Sequence, residues 1–405
     1  MSYNDRQLPA VWIVLKNEVI FVEKPLYQTK DFDKIQRIYV LLGPACNMQC
    51  RHCSQMPVKN ESFSINSLNP KVMEMLEHYT ESILKDKKSK RILFWGGEPL
   101  LHWDFIKEVV KHLTDKFNLL SYNVTYGLIF GFTTNGLLLD KEKIDFCNQY
   151  RVRIALSYDA PYPFAVRGKI SNEICELTKK AKYFGTISSF NALNTDFYLA
   201  LRCLNKKFPK VYHRLNIGLM QTFAMPQDII DYKVNDIKIS VKKLCLAARL
   251  GDTESARIIF ELTAPLYYEI KNSVFKQKWI KGCFSGLSSI AVKPNGEIMA
   301  CHNGIEKTGT INDTMDTVYK NGLELYVQRA STLCKECEHN DICTGKCTYS
   351  QKENTDEIIT CTRFWKPFYN ELKKEFLKFQ EPVSDEERKW FVEQYNRDNK
   401  IVENF

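Results

Sequence analysis

The spacing of apolar positions changes several times along this 405-residue chain. Val11–Leu15 and Val19–Val22 are short apolar runs around Lys16-Asn17-Glu18, which predicts a β-hairpin with a three-residue loop. From residue 36, apolar runs at 37–42, 91–95, 127–133, 152–157, 186–190 and 213–219 read as buried strands. Stretches at 68–85, 102–117, 140–149, 171–184 and 196–207 read as the helices between them. Six strand–helix alternations predict an α/β fold with a parallel sheet and right-handed crossovers. A doubly wound open sheet fits that pattern. Chemistry then belongs in the loops at the C-terminal strand ends. Residues 226–275 carry helix formers with apolar spacing, including Val241, Leu244, Ala247 and Ala248, then Ile258, Ile259 and Leu262. They predict two linker helices. Residues 366–405 predict charged amphipathic helices packed on the rest of the fold.

Composition narrows the class. Hydrophobic content is 44% and charged content 26%, ordinary for a globular protein. No apolar run approaches the ~20 residues of a membrane-spanning helix, and Met1–Arg6 starts no signal peptide. The expected compartment is the cytoplasm, where 14 cysteines argue for metal ligation rather than disulfides. The net charge of +9 has its densest run at Lys85–Arg91, read as a solvated surface turn, with a groove for an acidic peptide as the alternative. No basic stripe is interleaved with aromatics, so nucleic acid is not an expected partner.

The candidate chemistry starts at Cys46-Asn47-Met48-Gln49-Cys50-Arg51-His52-Cys53, directly after the apolar run 38–42. Three thiolates at spacing C-x3-C-x2-C can hold three irons of a 4Fe–4S cubane and leave the fourth free for a small molecule. Zinc, with His52 as fourth ligand, is the alternative. The loop resembles the signature of the radical S-adenosylmethionine (SAM) enzymes. The resemblance implies that the open iron chelates SAM and that SAM cleavage yields a 5′-deoxyadenosyl radical. His52 stands where that family usually has an aromatic residue, and could still stack on adenine. It also favours a partial (β/α)6 TIM-type barrel over the doubly wound sheet.

Three further loops fit that resemblance. Gly96-Gly97-Glu98 resembles the family's Gly-Gly-Glu motif, which implies that Glu98 faces the SAM ammonium and that Gly96 and Gly97 let backbone approach a ligand. Thr133-Thr134-Asn135-Gly136 supplies Asn135. Leu156-Ser157-Tyr158-Asp159 resembles a segment whose serine, here Ser157, contacts the ribose. Arg167 lies near where relatives place an arginine on the SAM carboxylate.

The C-terminal part holds a second cysteine set. Cys283 and Cys301 flank Pro294-Asn295-Gly296, a strong hairpin-turn signal, and Cys334, Cys337, Cys343, Cys347 and Cys361 follow. These spacings resemble the SPASM domain, which binds two auxiliary 4Fe–4S clusters; paired zinc ribbons are the alternative. The resemblance assigns Cys334, Cys337, Cys343 and Cys361 to an outer cluster and Cys283, Cys301 and Cys347 to an inner one. Residues 276–282 contain no cysteine, so the inner set implies an iron open to water, a thiol or substrate, unless His302 or Cys245 closes it. Cys147, Cys175, Cys203 and Cys245 read as buried small hydrophobes.

The expected organisation is a hairpin segment (1–35), a radical SAM partial barrel (36–225), a helical linker (226–281), a SPASM domain (282–365) and C-terminal helices (366–405). The implied function is a peptide maturase with three 4Fe–4S clusters and SAM. It would abstract hydrogen from a ribosomally made peptide and install a thioether or C–C cross-link. Its partners would be that peptide and a reductant such as flavodoxin or ferredoxin. Residues 1–35 look too short for a leader-gripping winged helix, so a separate leader-binding protein is a further expected partner. Alternatives are an anaerobic sulfatase maturase and a non-catalytic metal module. In the sulfatase maturases an aspartate base follows the second inner cysteine; here that place is His302, the candidate general base.

Overall fold

The computed structural model describes residues 13–16, 18–21, 32, 35–53, 69–86, 90–122, 129–162, 167–168, 170–216, 227–260, 286–304, 306–328, 337–339 and 364–405. β1 (Ile13–Lys16) and β2 (Glu18–Phe21) pair antiparallel, with Lys16 opposite Glu18. The N-terminal hairpin expected from the sequence is present, but Lys16 and Glu18 end its strands and do not belong to a three-residue loop.

Six parallel strands follow with helices between them. They are β3 (Arg37–Leu41), α1 (Pro70–Asp86), β4 (Arg91–Trp95), α2 (Trp103–Phe117) and β5 (Phe130–Thr134). Next come α3 (Lys141–Gln149), β6 (Arg153–Ser157), α4 (Asn172–Thr178), β7 (Phe184–Ser189), α5 (Phe197–Lys207) and β8 (Tyr212–Asn216). The strands lie side by side in chain order from β3 to β8. A doubly wound sheet reverses its order at a switch point; this sheet does not. Each crossover steps the same way, so the helices cover one face, as in the wall of a barrel. Ile38, Val40, Ile92, Phe94, Phe132 and Ile154 bury that face against Val72, Leu76, Val109 and Ile144 of the helices. The intervening strand residues point to the opposite, inner face.

One helix and one charged residue depart clearly from expectation. α4 ends at Thr178 rather than continuing to 184. Lys179, Lys180 and Lys182 offer no apolar stripe to prolong it, and Phe184 already opens β7. Of the basic run at 85–91, Lys90 is no surface residue: it is buried, and its Nζ donates to the Phe32 carbonyl and the Ser82 hydroxyl, each at 3.1 Å. Arg91 begins β4.

The linker holds α6 (Gln227–Ile230), α7 (Val234–Arg249) and α8 (residues 253–260). Beyond it, β9 (Ser289–Val292) and β10 (Glu297–Met299) form the hairpin expected around Pro294-Asn295-Gly296, with Gly296 at φ +93°. β11 (Lys307–Thr310) pairs with β10, and α9 (Met315–Gln328) follows. This hairpin does not stand apart from the barrel. β9 pairs in parallel with β3, Tyr39 opposite Ala291, and makes one nine-stranded sheet. An open barrel leaves the outer edge of β3 unpaired, and β9 covers it.

α10 (Lys366–Leu377) and α11 (Asp385–Asn404) close the chain. Phe364, Phe368 and Leu372 pack with Leu244 of α7 and Leu201 of α5 in a second core. Lys243 of α7 is buried and paired with Asp196 and with Asp398 of α11, which fastens the last helix to the barrel layer. Cys147, Cys175, Cys203 and Cys245 are all buried, as expected. Cys245 belongs to the core under α10, beside Glu371 and Glu375, and burial pushes its thiol well up. It packs as core filler.

Candidate active site at the strand ends

The site begins with the chain leaving β3. Gly43, Pro44 and Ala45 run alongside the loop that follows β4. Gly97 N–H donates to the Gly43 carbonyl at 2.9 Å and Glu98 N–H to the Ala45 carbonyl at 2.8 Å. A Cβ on Gly97 would lie 2.2 Å from the Ala45 oxygen, and one on Gly96 2.5 Å from the Gly43 oxygen. The two glycines thus admit close approach of protein backbone, and this fixes the entrance to the Cys46 loop.

Glu98 continues the brace. Its Oε1 accepts from Thr134 Oγ1 at 2.7 Å and Leu100 N–H at 3.1 Å, and its Oε2 from Asn135 N–H at 2.8 Å. Burial pushes this carboxyl up, while those three donors stabilise its ionised form. Glu98 was expected to face a ligand ammonium; here both its oxygens tie the β4 loop to the β5 loop. Asn135 extends the tie, with Nδ2 2.7 Å from Asn47 Oδ1 and 3.8 Å from Cys46 Sγ.

A second brace comes from the other side. Asp159, the last residue of the predicted ribose segment, is fully buried after β6. Its Oδ1 accepts from Ser189 N–H at 2.8 Å. Its Oδ2 lies 2.9 Å from Arg167 Nε and 3.2 Å from His52 Nε2. Burial alone would raise this carboxyl; Arg167 and His52 overcome it and hold it far below the usual carboxylate range. Arg167 in turn places Nη2 3.2 Å from His52 Nε2 and Nη1 3.7 Å from Cys50 Sγ. Arg51 pairs with Asp228 of α6 at 2.6 Å. Cys46, Cys50, His52, Glu98, Asn135 and Arg167 are therefore brought together, and Ser157 is buried at the end of β6 beside them. Asp159 and Asn47 were not among the sequence candidates. Asp159 stood in the Leu156–Asp159 segment, which was read for its serine and not for its carboxylate.

The donor set fits an iron–sulfur cluster and a small cofactor. Burial pushes the Cys46 and Cys50 thiols up, and the neighbouring thiols add to it, while Arg167 draws Cys50 down. A bound cation reverses that balance and favours thiolates. His52 Nδ1 is buried with no partner among the described residues, an atom that a bound cofactor would satisfy. Among the described residues no three His, Cys, Asp or Glu side chains already close a metal cage, so the fit rests on this donor chemistry.

The second cysteine set is seen in part. Cys301 follows β10, with Asn303 N–H 3.4 Å from its Sγ, and Cys337 is half-buried. Cys283, Cys334, Cys343, Cys347 and Cys361 lie outside the described residues, and with them the ligand count of the inner set. His302 is not an exposed turn residue. Its ring packs 4.9 Å from Tyr39 and 4.6 Å from Trp95, both on the inner face of the sheet. Burial, then Arg214 and Arg37, push it down to about 4, so it is neutral near pH 7.

Residues 40–231 match the family model of the Radical SAM superfamily. The chain carries a radical SAM domain. It is 23% identical over 335 residues to the radical SAM cyclopropyl synthase TigE of Paramaledivibacter caminithermalis, covering 78% of this chain and 68% of TigE. Its fold is that of histidine-tagged anSMEcpe with bound AdoMet (TM-score 0.60, 16% identity, 88% of this chain and 98% of that one). It is also that of Streptococcus suis SuiB bound to precursor peptide SuiA (TM-score 0.51, 15% identity, 80% and 74%). A radical SAM domain works with SAM and a 4Fe–4S cluster, the two groups the donor chemistry fits. No helix among the described residues is long and apolar enough to cross a membrane.

Proposed function

We propose that this radical SAM enzyme is a peptide maturase. The observation that carries the reading is the double brace on the Cys46–Cys53 loop. Glu98 and Asn135 hold its first thiol from one side, and Asp159, Arg167 and His52 hold its second from the other. When bound, the cluster and SAM supply an electron and a 5′-deoxyadenosyl radical able to take hydrogen from an unactivated C–H bond. The chain's residues do the positioning. Arg167 presents a fixed positive charge beside Cys50, suited to an anionic ligand group. His52 Nδ1 offers an unused hydrogen-bonding atom on the same side. Ser157, at a strand end facing the bore, is placed for a ribose hydroxyl. His302, neutral and on the inner face, is the candidate base for the proton released as the product is oxidised.

A peptide substrate is supported by the shared fold with SuiB, which is seen bound to a precursor peptide. In this reading the ten clustered cysteines hold three 4Fe–4S clusters; a flavodoxin or ferredoxin supplies the electron for SAM cleavage, and the two auxiliary clusters offer the surplus electron a route out. Anaerobically reconstituted protein is expected to contain about 12 irons per chain; stoichiometric zinc with little iron would contradict it. The function is tested with a peptide deuterated on its side chains, incubated with enzyme, SAM and dithionite. Deuterium should appear in the 5′-deoxyadenosine. Enzyme that cleaves SAM but never takes label from any peptide would overturn the reading.

A further inference from the structure

The inner face of the sheet has a charge pattern that SAM cleavage does not require. The strands β3 to β8 carry four arginines, Arg37, Arg91, Arg153 and Arg214, and not one Asp or Glu. The outward residues beside them, Ile38, Ile92 and Ile154, are in the helix-side core, so Arg37, Arg91 and Arg153 face inward. The Arg153 guanidinium stands 5.3 Å over the ring of Tyr212, which shares its face with Arg214 two residues on. Burial and Arg214 both draw Arg153 down, as expected for two like charges held together. Arg153 and Arg214 therefore share the inner face around the Tyr212 ring. Among the described residues no carboxylate pairs with Arg37, Arg153 or Arg214.

The same face carries small residues and a further donor. Gly185 sits under Arg153, where a Cβ would come within 3.4 Å of Nη2, and Gly131, Thr133 and Ala155 share the face. The Trp95 indole N–H, packed on the His302 ring, is buried without an acceptor among the described residues. A face that supplies guanidiniums and an indole donor, with no carboxylate paired to Arg153 or Arg214 among the described residues, is complementary to an anion. From this we infer that Arg153 and Arg214 bind an acidic side chain, Asp or Glu, of the substrate peptide on the inner face of the sheet. The inference rests on the peptide-maturase reading and adds the substrate's chemistry to it: an acidic residue near the one that is modified.

The test compares a labelled synthetic peptide carrying Glu in an apolar frame with its Gln twin, by fluorescence anisotropy on the full chain. The Glu peptide should bind about tenfold tighter, the worth of one charge-assisted contact. The gap should close in R153Q/R214Q and largely survive in R153K/R214K, which suffers a similar packing change but keeps the charge. Twins that bind equally, or a gap that outlasts both arginines, would overturn the inference and leave the peptide reading standing. Should neither peptide bind, the probe is glutarate. A rise in melting temperature with glutarate that R153Q/R214Q abolishes would keep the carboxylate site and remove the peptide reading. No response to peptide or glutarate would overturn the inference. So would inorganic phosphate that stabilises the chain better than glutarate at equal ionic strength.

Discussion

Asp159 is the residue on which the second brace turns. A buried carboxylate is tolerated only when paired and hydrogen-bonded, and it has Arg167, His52 and the Ser189 N–H. Replacing it by Asn keeps the size and one acceptor but removes the charge that orients Arg167. Asp159→Asn is expected to keep the fold and to lower SAM-dependent 5′-deoxyadenosine release about 10- to 100-fold, the usual cost of losing a partner of a ligand-bearing group. Unchanged release would show that Arg167 needs no anchor. Sequence spacing found which loops meet here, because Cys46, Gly96, Glu98, Asn135 and Arg167 all sit at strand ends. It did not find which donor serves which acceptor. Glu98 was read as facing a ligand, and its oxygens also accept from Thr134, Leu100 and Asn135, a pairing set by tertiary geometry.

Among elements, local pattern carried most of the fold. The strands β3, β4 and β6 fell within one residue of their predicted bounds, because short apolar runs between capped helices leave little choice. The 184 end predicted for α4 was wrong because pattern does not weigh three lysines against one turn of helix. The parallel pairing of β9 with β3 spans about 250 residues of chain and leaves no local signature. α11 offers a test at this scale. Its N-terminus is closed by Ser384 and Glu387 in a capping box, and Glu387 also meets Arg249 and Lys378 at 3.1 Å. Those partners outweigh burial and hold Glu387 at about 2, below its ordinary value of about 4.3. A carboxyl depressed in the folded state stabilises above its unfolded pKa and loses that contribution as pH falls towards 2. Glu387→Gln should therefore lower stability at pH 7 by about 0.5 to 1 kcal/mol. Wild type and variant should converge between about pH 4 and pH 2 in thermal melts. Parallel curves over that range would remove Glu387 from the acid response.

Across the whole molecule, one sheet serves two purposes. Its C-terminal edge gathers the Cys46–Cys53 loop with its braces, and its inner face presents the arginines and the His302 cluster. The C-terminal hairpin joins that sheet through β3, so Cys301 and His302 are carried to the barrel by backbone pairing. The architecture thus puts the candidate radical source and the candidate substrate space on one rigid frame. The central claim is that the Cys46–Cys53 loop is where SAM is cleaved. The most direct measurement is 5′-deoxyadenosine release by anaerobically reconstituted Cys50→Ala with SAM and dithionite, beside wild type. The account predicts that the variant folds and retains auxiliary iron but releases none. Undiminished release from Cys50→Ala would contradict it.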